Sequence, residues 1–589
     1  MDIVANQSSI KRFSTLDYAL FAVFLFLSLI IGSAYAFIGG KQKTTQEFLM
    51  GDKKMGIFPV GASLIASFVS AISILGTGPE IYLYGTQYWN IVISYGFVIL
   101  VANYFYLPVF YNLKLTSTYE YLEKRFHRNL RLAGSFTFTI QMVFYLGIVL
   151  YAPCLALNQV TGISITASIL TAGLVCTFYT SIGGIKAVMW TDAFQIIVMV
   201  LGLIIVVIRG VYVVGGVKTI WERSYEGARL QKIDFNFDPF ERYTFWTLTI
   251  GGFFTWLAIY GVNQAKVQRC LSCPTLRKSQ WAMWTNFPCL VIIISLCCYS
   301  GLVMYAHFYN CDPILSHQVK SADQMLPLFV LEVINYPGLP GIFISALFCG
   351  GMSTMSSGVN ALAAVSLEDG IKMFIYPNIN ETKGAIASKI LVAIYGLMVI
   401  GVAFISSYLG GVLQTALSIF GMIGGPLLGL FTLGMFFPCA NSWGSFLGWI
   451  FGMVFSFWIG IGATINKQTF PKLKLRIDGC SNYNRSSFNS FNSTNSFVTS
   501  HYNTIFSKPI PKVYQLSYLY FSTLATLSVV IIGLIISLLT RNKNHYVDPI
   551  LISPPIRILM SWFSKSRTYF LEDAKSQNIK LDKITTKNS

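Results

Sequence analysis

Residues 58–82 read FPVGASLIASFVSAISILGTGPEIY, a stretch long and apolar enough to cross a bilayer but crowded with serine, threonine, glycine and proline. The GTGPE segment at 76–80 is not expected to stay helical to its end, because proline removes a backbone donor and glycine carries a high entropic cost in a helix. A helix interrupted near the middle of a bilayer exposes carbonyls that suit a cation and amide N–H groups that suit an anion. The stretch therefore points to a membrane domain built around a discontinuous helix.

The rest of the chain agrees. Its 589 residues are 54% hydrophobic, 15% aromatic and only 11% charged, with a mean hydropathy of +0.59, which excludes an ordinary soluble protein. Apolar segments near 17–37, 57–85, 88–112, 130–158, 162–183, 189–212, 244–266, 279–308, 338–367, 387–408, 411–437, 444–465 and 515–540 are long enough to span. Their length and lack of strict alternation make them helices rather than barrel strands. The organisation expected is an extracellular N-terminus (1–16), one transmembrane domain (17–540) with a flexible outer insert (466–514), and a cytoplasmic tail (541–589). The first span has no small-residue cleavage site after it and reads as a retained helix.

With the N-terminus outside, inner loops and tail hold the larger share of the 42 Lys and Arg residues. The sequons at Asn6, Asn484 and Asn492 then face outward as glycosylation candidates, while Asn380 faces inward and is accidental. The net charge of +18 marks cytoplasmic surfaces beside the lipid bilayer, not a nucleic-acid partner. Cys311 and Cys480 are the cysteines expected in outer loops, which predicts a disulfide between them. Cys270 and Cys273 have the spacing of half a zinc site, but no second ligand pair stands near.

Ionisable residues are sparse in the spans, and among them Glu80, Asp192 and Lys266 sit towards span ends. A proton relay or a voltage sensor is not supported, since intramembrane charges usually mark such functions. No Lys or Arg is expected at the midplane. Neutral oxygens remain as cation ligands. In CGGMSTMSSG (349–358), Gly350, Ser353 and Thr354 fall at i, i+3 and i+4 on one helix face. Helix packing and a sodium site both account for such a face. A channel wants a continuous pore, and an enzyme wants clustered catalytic groups; the five scattered histidines offer no such cluster, so the chain is not read as an enzyme.

Beyond these residues, YTSIGGIKAVMWTDAFQ, TSTYEYLEKRF, YAPCLALNQVTG, TFWTLTIGGFFTWLAIYGVNQAKVQRC, PGLPGIFISALFCGGMSTMSSGVNALAAVSLEDGIK and SIFGMIGGPLLGLF resemble the sodium/solute symporter family. They resemble its branch of monocarboxylate, multivitamin and iodide symporters, and FTWLAIYGVNQ, QRCLSC, YNCDP and QLSYLYFST look most like the sodium-coupled monocarboxylate transporters. The resemblance implies an all-α polytopic fold of about thirteen helices, with leucine-transporter-like inverted five-helix repeats and extra terminal helices. It implies co-transported sodium held by the carbonyls of Ala66, Val69 and Gly350 and the hydroxyls of Ser353 and Thr354, matched on ASFVS and CGGMST.

By the same resemblance, Phe68, Ser70, Ser73, Tyr145, Trp256, Tyr260, Gln264, Gln414 and Ser418 line the substrate cavity. Asp192, in WTDAF, resembles an inner-gate acidic residue, with a helix-start cap as the other reading. The implied function is sodium-coupled symport of a small organic anion such as lactate, pyruvate or butyrate at the plasma membrane, with vitamin or iodide symport as the alternative. Iodide symporters typically carry glutamine and serine where this chain has Ser73 and Ala416, which weakens that alternative. In the expected cycle sodium enters first and creates the anion site, and a rocking bundle releases both inward.

Overall fold

The computed structural model describes residues 13–37, 42–333, 336–407, 411–466, 470–480, 511–540 and 547–562, leaving out the side chains of residues 35–37 and 68. Asn6, Asn484 and Asn492 lie outside the described residues, as do most of the insert and of the tail. Helices dominate, and no strand occurs among the described residues. Those used below are α1 (Thr15–Phe37), α2 (Ile57–Phe68), α3 (Ala71–Tyr84), α4 (Ile91–Val101), α5 (Arg128–Thr161), α6 (Ile165–Val214), α7 (Gly252–Leu257), α8 (Gln264–Leu271), α9 (Leu276–His307), α10 (Leu339–Val365), α11 (Glu381–Ser406), α12 (Val412–Ile419), α13 (Gly425–Phe436), α14 (Ser442–Ile465) and α15 (Tyr520–Leu539).

Ten helical stretches among the described residues are long and apolar enough to cross a membrane, eleven if the pair α2–α3, bent by 52°, counts as one span. Thirteen crossings are therefore not established. Two expected spans, 162–183 and 189–212, lie end to end in the 50 residues of α6. α6 is two helices joined at a kink, so the two expected spans are kept as its two halves. It breaks once, at Gly184, whose φ of +57° suits glycine. A Cβ there would meet the Phe48 carbonyl oxygen at 2.8 Å, so the turn and the packing both require glycine. The expected span at 244–266 is represented by a shorter apolar helix, Thr247–Val262.

The expected break at GTGPE does not occur. α3 runs on through Pro79 to Tyr84, and the interruption falls earlier, between Phe68 and Ala71. Tight packing holds the proline turn: a Cβ on Gly301 of α9 would meet the Gly78 carbonyl oxygen at 2.5 Å. Proline is tolerated in membrane helices where such neighbours enclose the backbone.

α10 lies at the centre, with its residues Phe343–Val365 buried, and packs most extensively against α6. α1 sits outside it and turns Val23, Phe26 and Ile30 outward. A second interruption follows α7, where Asn263 is extended and caps the start of α8 by accepting from the Ala265 amide at 2.9 Å.

Cys311 and Cys480 form the expected disulfide. It ties the loop after α9 to segment 470–480, which bonds back through Leu473 N–H to the Leu83 carbonyl at 2.9 Å and receives the Asp312 N–H at the Arg476 carbonyl at 2.8 Å. A bridge closing so long a loop contributes roughly 2–4 kcal/mol. Cys311→Ser and Cys480→Ser are each expected to lower the thermal midpoint of the purified protein, and the double variant to lower it no further than either one.

Candidate functional site

The site begins at the gap between α2 and α3. The last turn of α2 closes with Val69 N–H to the Ile65 carbonyl at 2.9 Å, and Ser70 is extended. The carbonyls from Ala66 to Val69 therefore have no following amide in helical register. Ala66 and Val69 are fully buried, so these acceptors stay in the protein interior.

α10 faces the gap with its glycines and hydroxyls. A Cβ on Gly350 would lie 3.0 Å from the Ala71 nitrogen and 3.2 Å from the Ser70 carbonyl carbon, so a larger residue would press the gap apart. Thr354 Oγ1 donates to the Gly350 carbonyl at 3.0 Å and reaches the Ser67 carbonyl at 3.5 Å. Ser353, one residue before it, donates to Asp192 Oδ1 at 2.6 Å. The structure thus sets Gly350 and Thr354 of α10 against the gap at Ser67, Ser70 and Ala71, while Ser353 turns to Asp192.

Asp192 completes the oxygen cluster. It stands well inside α6, fully buried, which removes the helix-start reading: its carboxylate reaches across to α2 and α10. Ser63 Oγ donates to Oδ2 at 2.5 Å and Ser357 Oγ lies 3.4 Å from the same oxygen. A hydroxyl that donates to a carboxylate is polarised and becomes a better acceptor for a cation. Carbonyls, hydroxyls and one carboxylate form a hard-oxygen donor set of the kind that suits an alkali cation.

Beside this cluster lies a cavity of about 50 Å³, lined by Ser70, Ser73, Tyr145 and Trp256 among the expected residues. The Phe68 side chain lies outside the described residues. The other four expected residues do not line this cavity. Tyr260 is buried in packing, where its hydroxyl accepts from Asn286 Nδ2 at 3.1 Å. Gln264 holds the loop at 116–118 by donating to the Thr116 carbonyl at 2.7 Å and accepting from Thr118 N–H at 2.8 Å. Gln414 accepts from Arg242 Nη1 at 3.1 Å, and Ser418 borders a separate groove facing α14. α12 presents the opposite stripe, Leu413, Ala416 and Leu417, to the cavity, because residues three and four apart share a face.

Lys266 and Arg269 of α8 also line the cavity, contrary to the expectation of no cation there. Lys266 Nζ donates to the Leu64 carbonyl at 2.9 Å, and Arg269 Nη2 is 3.8 Å from Asp192 Oδ2. Their i, i+3 spacing after Asn263 was the available signal. Arg269 fell outside the apolar window and so escaped notice.

At the disulfide-bearing end a second buried ion pair closes over α3. Arg242 donates to Glu80 through Nη2 at 2.7 Å and Nε at 3.2 Å, and Tyr243 donates to the same carboxylate at 2.7 Å. Nearby, in the loop before α10, burial pushes the Asp323 carboxyl up to about 7, although the Val412 N–H bonded to it at 3.2 Å favours the charged form. A raised folded-state value means that folded protein holds this proton to higher pH than unfolded protein does. The stabilisation is present below the ordinary carboxylate range and is lost as pH rises towards 7. The thermal midpoint is therefore expected to fall between about pH 4 and 7 more steeply in the wild type than in Asp323→Asn.

A family model for the sodium:solute symporter family matches residues 48–452. Sodium-coupled monocarboxylate transporter 1 of Xenopus laevis is 45% identical over 562 residues, covering 92% of this chain and 89% of its own. Sodium-coupled monocarboxylate transporter 2 of Mus musculus is 42% identical, covering 95% and 89%. The sodium-dependent multivitamin transporter of Oryctolagus cuniculus is 46% identical, covering 91% and 84%. A solved Na+-coupled sialic acid symporter matches with a TM-score of 0.73 at 22% identity, covering 90% of this chain and 100% of its own. The all-α fold expected from the sequence, of leucine-transporter type, is the fold observed.

Proposed function

This chain belongs to the sodium:solute symporter family, and we propose that it carries short-chain monocarboxylates such as lactate, pyruvate and butyrate into the cell with sodium. That sodium is the co-transported ion follows from the family and its relatives. The observation that carries the finer reading is the meeting of the Thr354 hydroxyl with the carbonyl end of α2, beside a cavity of about 50 Å³. Such a volume is well below the ~300–1,000 Å³ of sites for drug-sized ligands and supports a solute of few atoms.

In this reading sodium binds the carbonyls of Ala66, Val69 and Gly350 and the hydroxyls of Ser353 and Thr354, with Asp192 as the counter-charge on the inner side. Ser70, Ser73, Tyr145 and Trp256 contact the anion. The protein lies in the plasma membrane with its N-terminus and the Cys311–Cys480 bridge outside, where disulfides persist. The Glu80–Arg242 pair is then the outer closure.

The relative that transports vitamins favours a second reading, in which biotin or pantothenate is the anion. Uptake of labelled lactate, butyrate, biotin and pantothenate, with sodium or choline outside, separates the two. Ser353→Ala and Thr354→Ala are each expected to raise the sodium concentration for half-maximal uptake at least tenfold, since a hydrogen-bonding group on a charge contributes roughly 1.5–3 kcal/mol. Uptake of lactate indifferent to sodium, or unchanged in both variants, would overturn the ion site.

A further inference from the structure

Arg269 is 2% exposed and lines the central cavity, yet its Nη1 and Nη2 have no hydrogen-bond partner among the described residues. Its nearest carboxylate, Asp192, is an ion-pair neighbour at 3.8 Å, beyond hydrogen-bond reach. A buried guanidinium left in this way is costly, and native structures rarely keep such a group without a use for it. One turn earlier on the same face, Lys266 brings a second cation to the cavity wall. Among the described residues, the one carboxylate beside Arg269 is already engaged by Ser63 and Ser353. Buried charge is tolerated when it is paired. Among the described residues, the two terminal nitrogens of Arg269 stay without a bonded partner.

From these observations we infer that Arg269 and Lys266 form a carboxylate-binding station on the inner side of the cavity, where the substrate anion rests on its way out. The inference deepens the symport reading and rests on it. A guanidinium with two free N–H groups on one edge matches the two oxygens of a carboxylate, and a chloride or a neutral solute does not exploit that fork. α8 leads from the cavity away from the disulfide-bearing end: its Gln268 donates to the Leu49 carbonyl at 2.6 Å, and Ser272, just past it, accepts from Met55 N–H at 3.1 Å. The station thus lies between the cavity and the face opposite the Glu80–Arg242 pair. Asp192 links it to the ion site. Sodium on Asp192 satisfies that carboxylate and leaves Arg269 to the substrate; when sodium departs, Asp192 again competes for Arg269 and the anion is released. Release of the two solutes is coupled through one shared side chain.

The test uses the full-length protein in proteoliposomes of defined orientation, with the KM for lactate measured separately from each face. Arg269→Gln is expected to raise the inner-face KM at least tenfold while the outer-face KM changes less than threefold. Arg269→Lys is expected to stay within threefold of wild type at both faces. Lactamide, the uncharged analogue, is expected to compete at the inner face at least tenfold more weakly than lactate in the wild type, and as well as lactate in Arg269→Gln. An unchanged inner-face KM in Arg269→Gln with lactate transport intact overturns the station and leaves the symport reading standing. Equal impairment in Arg269→Lys and Arg269→Gln also overturns it, by assigning Arg269 a structural role. If Arg269→Gln does not fold, Lys266→Gln decides: at least a fivefold rise confined to the inner face supports the station, and no rise overturns it. If wild type carries no lactate, the monocarboxylate reading fails, and the same measurements with biotin and pantothenate, both carboxylates, decide the station; transport of neither overturns both.

Discussion

Asp192→Asn is expected to reduce sodium-dependent uptake more than 100-fold at equal surface amount. The carboxylate is fully buried and accepts from Ser63 at 2.5 Å and Ser353 at 2.6 Å, with Arg269 at 3.8 Å. Neutralising it removes the only full negative charge beside the expected sodium ligands among the described residues and strands Arg269. Breaking a buried pair by removing one partner typically costs about 3–5 kcal/mol, equivalent to more than a 100-fold effect. Part of that cost falls on folding, so surface biotinylation must accompany the uptake measurement. Combining Asp192→Asn with Arg269→Gln is expected to restore surface amount, because it removes the stranded charge, without restoring the response to sodium. If Asp192→Asn transports with wild-type sodium dependence, the carboxylate has no part in the ion site.

The second large effect concerns the opposite end of the cavity. Glu80 and Arg242 are 9% and 8% exposed, and Arg242 also stacks 4.3 Å from the Tyr84 ring centroid and donates to Gln414. The pair joins α3, the loop before α7 and α12 in one closure. Glu80→Gln leaves the guanidinium buried against aromatic rings and amides, at a cost of about 3–5 kcal/mol to the closed state. The closed state is expected to lose population, so that a cysteine placed at Ser73 reacts at least tenfold faster with a membrane-impermeant thiol reagent in Glu80→Gln than alone. The double exchange Glu80→Arg with Arg242→Glu is expected to recover part of the protection. Equal labelling rates in all three would show that the pair contributes to packing and not to closure.

The membrane class, the existence of interrupted helices and the hydroxyl face of α10 were legible because each is local. Twenty apolar residues announce a span, and residues at i, i+3 and i+4 share a face wherever the helix goes. The disulfide was legible for a similar reason, since only two cysteines fell in loops expected to be oxidised. The position of the first break was not. GTGPE carries the local signals of interruption, yet α3 passes through Pro79 because Gly78 and Gly301 let two helices close around it. Val69 and Ser70 carry weaker local signals, but the chain opens there, where α10 supplies Gly350 against the gap.

Rotation of helices about their axes belonged entirely to the tertiary structure. On α12 the polar residues Gln414 and Ser418 looked like cavity residues, but Leu413, Ala416 and Leu417 face inward. On α8 the cations Lys266 and Arg269 looked like the start of a cytosolic loop, and they meet the cavity instead. In water, an apolar stripe tells which face of a helix is inside. In a bilayer the lipid and the packed interior are equally apolar, so the stripe loses that meaning and only the neighbouring helices decide which side chains meet the substrate.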